Sequence, residues 1–152
     1  MKLILGVLVV VIGVISGNLL GEKFTTKKLF YKDHLDFIQT MIRDVAFTQS
    51  TIKTILHKYT NGLFGQIAYE YIVNKNHIPK IKFLSDEELT NFIDFLDKVG
   101  KSDAKTQLDF LNSNKILVEK YYENAEKDEK RYKKLYIKLG FLFGLIVLVI
   151  IL

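Results

Sequence analysis

The sequence LILGVLVVVIGVISGNLLG, residues 3–21, is a run of nineteen residues without a charged side chain. A helix of that length rises about 28 Å, and the hydrocarbon core of a bilayer is about 30 Å thick. We therefore predict an N-terminal transmembrane helix over residues 1–21. A cleavable signal peptide is the alternative, because Lys2 resembles the basic start of such a peptide and Ser16 ends a stretch that resembles a cleavage site.

The other end of the chain has the same character. The last fourteen residues, LGFLFGLIVLVIIL, are uncharged, and a segment that begins at Leu135 contains eighteen residues. Within that segment Lys138 can extend its ammonium group to the membrane surface. Because the run has no polar face, we expect a transmembrane helix over 135–152 and not a terminal core helix.

The positive charge of the chain lies beside these two apolar ends. The net charge is +5, yet residues 35–126 contain eleven basic and thirteen acidic side chains. Four lysines lie in residues 22–34, and six basic residues lie in 127–138. Basic residues in these places can contact the anionic headgroups of membrane lipids. A nucleic-acid site would need them on the middle of the chain, so nucleic acid is not an expected partner.

The same basic residues predict the orientation in the membrane. Ten of them flank the middle of the chain, and only Lys2 lies on the outer side of an apolar end. Since basic flanks remain in the cytoplasm, both termini are expected outside. A cytoplasmic domain of residues 22–134 is expected between them.

Each apolar end carries small residues four positions apart, a spacing that lets helix backbones approach closely in lipid. These candidate helix-packing residues are Gly13, Gly17, Gly21, Gly140 and Gly144. The sequence does not identify their partner, and glycine is in any case frequent in membrane helices.

The middle of the chain predicts an all-α helical bundle, because apolar residues recur there in steps of three and four. Ser50 is expected to cap a helix that ends near Tyr59, and residues 74–84 are expected to form a loop. Ser85 and Glu88 form a capping box at the start of a further helix, and Gly100 is placed to end it.

The last helix of the domain is predicted to run from Asp103 to Leu139 without interruption. Apolar residues on one face give it a coiled-coil-like pattern. The members of this candidate interaction seam are Leu108, Leu111, Val118, Tyr122, Ala125, Tyr132 and Tyr136. Lys115 and Glu129 interrupt the seam. Packing within a helical hairpin of one chain and pairing with another chain both fit the pattern.

No pattern of residues predicts catalysis, a cofactor or a bound metal. The chain has no cysteine, and its three histidines, His34, His57 and His77, lack a metal-ligand spacing. We expect each histidine on a helix surface or in a loop. No phosphate-binding loop, nucleophile elbow or zinc-protease motif occurs, so an enzyme is not expected.

Three groups of residues carry a resemblance to a known family. They are Lys2, Leu3, Ile4 and Gly6 at the start; Val99, Gly100, Asp103 and Gln107 in the middle; and Asp128, Lys130, Arg131, Tyr132, Lys134, Lys138, Leu139 and Gly140 near the end. In this order and spacing they resemble the stage III sporulation protein AB family of endospore-forming bacteria.

The resemblance implies a subunit of the mother-cell membrane facing the forespore, within a secretion-like complex that links the two cells. Other membrane subunits of that complex are implied partners. The resemblance also implies that the cytoplasmic domain is similar to those of the type II secretion F protein, which contact an ATPase. A cytoplasmic ATPase is therefore an implied partner, and a non-catalytic scaffold is the implied function.

Two other functions remain open at this point. The chain could be an extracytoplasmic binding module, with the first apolar segment cleaved and the second serving as membrane anchor. It could also be a membrane-bound enzyme whose site is assembled from distant residues. The basic flanks disfavour the first alternative, and the lack of catalytic motifs disfavours the second.

Overall fold

The computed structural model describes residues 2–47, 61–73 and 81–151, and its regular structure there is entirely helical. The helices are α1 (Lys2–Phe47), α2 (Leu63–Val73), α3 (Asp86–Lys98), α4 (Ala104–Asp128) and α5 (Lys134–Ile151). A π-helical segment, Glu129–Lys133, joins α4 to α5. The prediction of an all-α fold is confirmed for these residues. The predicted helix from Ser50 to Tyr59 and most of the predicted loop lie outside them.

The chain divides into two compact units, each of which draws on α1 and α4. The end unit consists of residues 1–28 and 124–152, and the middle unit consists of residues 29–123. The predicted boundaries at residues 21 and 134 describe where a bilayer would begin, and they stay predictions.

In the end unit, the beginning of α1 has the composition of a membrane helix. By length and composition, one helix of the described chain, over Gly6–Val45, is long and apolar enough to cross a membrane. Its large apolar side chains are exposed, for example Ile12 at 60 % and Leu19 at 60 %. The membrane passage of α5 stays a prediction.

The middle unit is organised around a cluster of buried aromatic rings. The rings of Phe30 and Phe37 on α1, Phe64 on α2, and Phe92 and Phe95 on α3 are all at most 3 % exposed. Neighbouring ring centroids lie 5.1 to 6.5 Å apart, mostly with tilted or edge-on geometry. Such contacts add to the hydrophobic stabilisation of each ring, so these side chains hold three helices together.

Local signals fix the ends of these helices. The Leu63 N–H at the start of α2 donates to Oδ2 of Asp33 on α1, at 2.7 Å. The predicted capping box of α3 is confirmed, because Ser85 Oγ accepts from the Glu88 N–H and Glu88 Oε2 accepts from the Ser85 N–H. Gly100 follows α3 with a φ of 71°, a conformation that glycine adopts without strain.

The prediction of an uninterrupted α-helix from Asp103 to Leu139 is wrong over five residues. The chain stays helical, but Glu129–Lys133 has π geometry. Two side chains of this segment, Glu129 and Lys133, bond to the first helix, at Lys28 and Thr25 respectively. A wider turn places both of them, together with Tyr132, on the half-buried side. Such π segments are rare and often occur at functional positions.

Candidate functional site: the interface of the terminal helices

Within the end unit, the beginning of α1 packs against α5 through glycine. A methyl group built on Gly13 would overlap the carbonyl oxygen of Gly140, and one built on Gly140 would overlap that of Gly13. One built on Gly17 would overlap the carbonyl oxygen of Tyr136. The backbones are therefore in direct contact, with the two helices antiparallel.

The other two predicted glycines extend this interface in both directions. A methyl group on Gly144 would lie 2.7 Å from Val10 Cα, and one on Gly21 would lie 3.3 Å from Lys133 Cα. The structure thus brings all five predicted glycines into one interface. The partner that the sequence did not identify is the other terminal helix of the same chain.

Gly6 belongs to the same interface, although its spacing did not single it out. It lies seven residues before Gly13, so it falls outside the four-residue repeat. A methyl group at Gly6 would meet only the side chain of Leu148, which can rotate away. The tight backbone contact is therefore confined to the middle of the helix pair.

Polar contacts join the two helices beyond the charge-free stretches, at residues 25–28 of α1 and 129–133 of the π segment. Lys28 Nζ lies 2.5 Å from Glu129 Oε2, and Lys133 Nζ lies 3.2 Å from Thr25 Oγ1. The bond from Lys28 holds the pKa of Glu129 below its usual range. Glu129, which interrupts the predicted seam, therefore acts as the acceptor of an ion pair between the first and last segments of the chain.

Three aromatic rings lie beside these polar bonds. The rings of Phe24 and Tyr132 stack with centroids 5.2 Å apart, and Tyr136 lies 6.0 Å from Phe24. Lys23 Nζ is 5.0 Å from the Phe24 centroid, and Arg131 Cζ is 5.5 Å from the Tyr132 centroid. We call these five side chains the cation–aromatic cluster. Sequence reasoning included both tyrosines in the seam but missed Phe24, because that residue lies beyond the first apolar run.

The remaining seam residues lie on α4. Leu111 and Val118 are buried in the middle unit, at 0 % and 3 % exposure, and Ala125 is buried in the end unit at 2 %. Leu108 and Tyr122 are half-buried. The seam residues of α4 are therefore buried or half-buried within the unit to which each belongs. Lys115, which interrupts it, forms an ion pair with Glu119 one turn later, at 3.6 Å.

The motif positions between α3 and α4 form a hydrogen-bonded turn. Gln107 is 2 % exposed, and its Oε1 accepts from the Gly100 N–H at 2.9 Å and from Ser102 Oγ at 3.1 Å. Asp103 Oδ1 accepts from the N–H groups of Lys105 and Thr106, both at 3.1 Å. The Thr106 hydroxyl, together with these backbone bonds, lowers the pKa of Asp103. The three motif residues therefore shape the start of α4.

His34 was expected on a surface or in a loop, and that prediction is wrong. Its ring is 3 % exposed and stacks on Phe64 with centroids 4.3 Å apart. Neither ring nitrogen has a hydrogen-bond partner. The ring borders a cavity of about 10 Å³, room for one water molecule, whose other lining residues include Tyr31 and Glu88. The predictions for His57 and His77 lie outside the described residues.

Burial makes His34 a source of acid sensitivity. Burial lowers the pKa of His34 from 6.5 to about 3, so the unfolded chain takes up a proton below pH 6.5 and the folded chain does not. Protonation of His34 does not lower the free energy of unfolding above pH 6.5. Below that pH the free energy of unfolding falls by roughly 1.4 kcal/mol per pH unit as the pH decreases toward 3. We expect a lower thermal unfolding midpoint at pH 5.5 than at pH 7.5, measured in detergent by circular dichroism. A His34→Phe variant should lose most of this difference, and an unchanged difference would contradict the assignment.

No group of three or more His, Asp or Glu side chains in the described part of the chain could hold a metal ion. A family model described as stage III sporulation protein AB matches residues 75–152. That range includes the Gly100–Gln107 turn, the seam and the α5 side of the glycine interface. No curated protein and no solved structure matches the chain.

Proposed function

The chain belongs to the stage III sporulation protein AB family, and from this membership we propose that it is a non-catalytic membrane scaffold of a sporulation complex. The terminal helices are proposed to lie in the mother-cell membrane facing the forespore. The middle unit is proposed to face the cytoplasm, where it would contact an ATPase. Other membrane subunits of a secretion-like complex would be its neighbours.

The glycine interface is the observation that carries the membrane part of this proposal. Water-soluble helices associate by burying apolar side chains, whereas helices in lipid associate by close backbone packing. Here the contact is made by backbone, at Gly13, Gly17 and Gly140, while large apolar side chains such as Leu142 and Ile146 point outward. This arrangement supports a pair of lipid-embedded helices.

The same contacts weigh against a secreted module with a cleaved leader. Cleavage after Ser16 would remove Gly13 and would separate the chain from most of the helix that covers α5. Gly140 would then lose its contact with the Gly13 carbonyl, and Gly144 would lose its contact with Val10. A retained first helix explains the interface, and a cleaved one does not.

A cytoplasmic middle unit can be tested by thiol labelling, because the natural chain has no cysteine. Lys101 is exposed in the turn before α4, so Lys101→Cys places a reactive group on the middle unit. In intact cells labelled before engulfment is complete, we expect no reaction of this variant with a membrane-impermeant maleimide. A cysteine added after Leu152 should react under the same conditions. Labelling of Lys101→Cys in intact cells would reverse the proposed orientation.

The scaffold role predicts stable partners in sporulating cells. A tagged full-length chain, extracted in mild detergent after engulfment, should recover an ATPase and further membrane proteins, as identified by mass spectrometry. The control is the same tag on the isolated N-terminal helix, residues 1–21. A chain that sediments as a monomer from such extracts, without partners, would contradict the scaffold role.

A further inference from the structure

The cation–aromatic cluster has a chemistry that the helix pairing does not use. Tyr132 and Tyr136 are half-buried beside Phe24. Lys23 lies over the rings of Phe24 and Tyr136, and Arg131 lies over the ring of Tyr132. The glycine contacts involve none of these five side chains. Of the cluster residues, only Tyr136 takes part in them, through its backbone carbonyl. The cluster therefore forms a polar and aromatic surface beside the interface.

The charges around this cluster are out of balance. Residues 22–28 and 124–138 contain nine basic and four acidic side chains. Two of the acids are already paired, Glu129 with Lys28 and Glu126 with Lys130. The basic side chains that have no carboxylate partner among the described residues include Lys23, Arg131, Lys134 and Lys138. A negatively charged ligand would balance them.

Immediately beyond these cations the surface becomes apolar. Leu135 and Leu139, on α5, are 44 % and 50 % exposed, and Leu19 and Leu20, on α1, are 60 % and 59 % exposed. Tyrosine rings at such a boundary are typical of the level of lipid headgroups. A ligand that fits both parts has a negatively charged head and long apolar chains.

We propose that the cation–aromatic cluster, together with Lys134 and Lys138, is a binding site for the headgroup of an anionic phospholipid. This inference rests on the membrane role proposed above. Arg131 can donate two parallel hydrogen bonds to a phosphate, and Lys23 contributes a second positive charge on the neighbouring helix. The acyl chains lie along Leu135 and Leu139.

The absence of tryptophan from the chain permits a direct test by fluorescence quenching. Leu135→Trp places one fluorophore beside the proposed site without removing a cluster residue. Phe143→Trp, at a position that is 66 % exposed and farther along α5, reports on bulk lipid. The purified full-length variants are reconstituted in phosphatidylcholine vesicles that contain either brominated phosphatidylglycerol or brominated phosphatidylcholine, whose bromines quench neighbouring tryptophan.

At Leu135→Trp, brominated phosphatidylglycerol is expected to associate at least about fivefold more strongly than brominated phosphatidylcholine, because each nearby cation contributes to the attraction. At Phe143→Trp the two lipids should quench equally. Adding Lys23→Gln and Arg131→Gln to the Leu135→Trp variant should remove the preference. The conservative pair Lys23→Arg and Arg131→Lys should retain most of it. The matched control, Lys98→Gln with Lys101→Gln in the middle unit, should leave it unchanged.

Equal quenching by both lipids at Leu135→Trp, with normal quenching at Phe143→Trp, would overturn the lipid site alone. A preference that survives the removal of Lys23 and Arg131 would also overturn it, because the attraction would then be diffuse. No quenching by either lipid at Phe143→Trp would overturn the proposed membrane role and the lipid site with it.

Discussion

Replacement of Gly140 by leucine is expected to separate the two terminal helices and to abolish sporulation. A side chain at this position meets the backbone carbonyl of Gly13, with Gly17 Cα only 3.4 Å away. Backbone atoms cannot rotate away as a side chain can. Overpacking of this kind costs about 1–3 kcal/mol, and the upper end of that range lowers the ratio of paired to separated helices roughly 100-fold.

An engineered disulfide measures this separation. A Cβ atom on Gly21 would lie 3.5 Å from Lys133 Cβ, which is within the range that disulfides span. Gly21→Cys with Lys133→Cys should therefore cross-link rapidly within one chain on mild oxidation. Addition of Gly140→Leu should slow this reaction at least tenfold. Lys130, which is exposed on the same segment, provides the control partner, since Gly21→Cys with Lys130→Cys should not cross-link.

Two further variants separate lost helix pairing from general damage. Gly6→Ala meets only the end of the Leu148 side chain, so it should cross-link and sporulate normally. Val149→Leu, at a position that is 73 % exposed, should also be neutral. If Gly140→Leu cross-links and sporulates like these two variants, close backbone packing is not required. That result would contradict the structural argument for the proposed membrane role.

Replacement of Phe64 by alanine is the second change with a large expected effect. This ring is fully buried and lies within 5.1 to 5.8 Å of the rings of Phe30, Phe37 and Phe92. Truncation of a buried phenylalanine costs about 3–5 kcal/mol, a large part of the stability of a small domain. The population of open states of the middle unit should then rise at least about 100-fold.

Hydrogen exchange followed by mass spectrometry can locate this effect. Peptides from α3 should lose protection in Phe64→Ala, while peptides from α5 should keep it, because α5 belongs to the other compact unit. Tyr69→Ala on the same helix is the matched control, since Tyr69 is 45 % exposed. Equal protection of α3 in both variants would show that the aromatic cluster is not the core of the middle unit.

Several features of this fold could be read from the sequence because they depend on local spacing. The capping box at Ser85, the stop at Gly100 and the small-residue repeat at Gly13, Gly17 and Gly21 are all defined within a few residues. The burial of His34 could not be read in this way. Its surroundings come from α2 and α3, and only the tertiary structure shows that Phe64 and Phe95 enclose it.

The same distinction explains the errors near the end of the last helix. The sequence between Asp103 and Leu139 contains no helix breaker, so α-helix was the natural prediction. The π segment instead coincides with bonds to Thr25 and Lys28, which are more than one hundred residues away in sequence. The pairing of Phe24 with Tyr132 is equally remote. Periodicity within one helix does not contain information about such partners.

The distance along the chain between the two halves of the glycine interface has a consequence for synthesis. Lys28 and Glu129 are separated by 101 residues, so the ribosome must add about that many residues before α5 exists. At roughly 5–20 residues per second, this takes about 5–20 s. Under the proposed membrane role, the glycine face of α1 then has only lipid, or the helices of other proteins, beside it during that interval. The proposal therefore predicts that other membrane proteins can contact α1 before α5 is made.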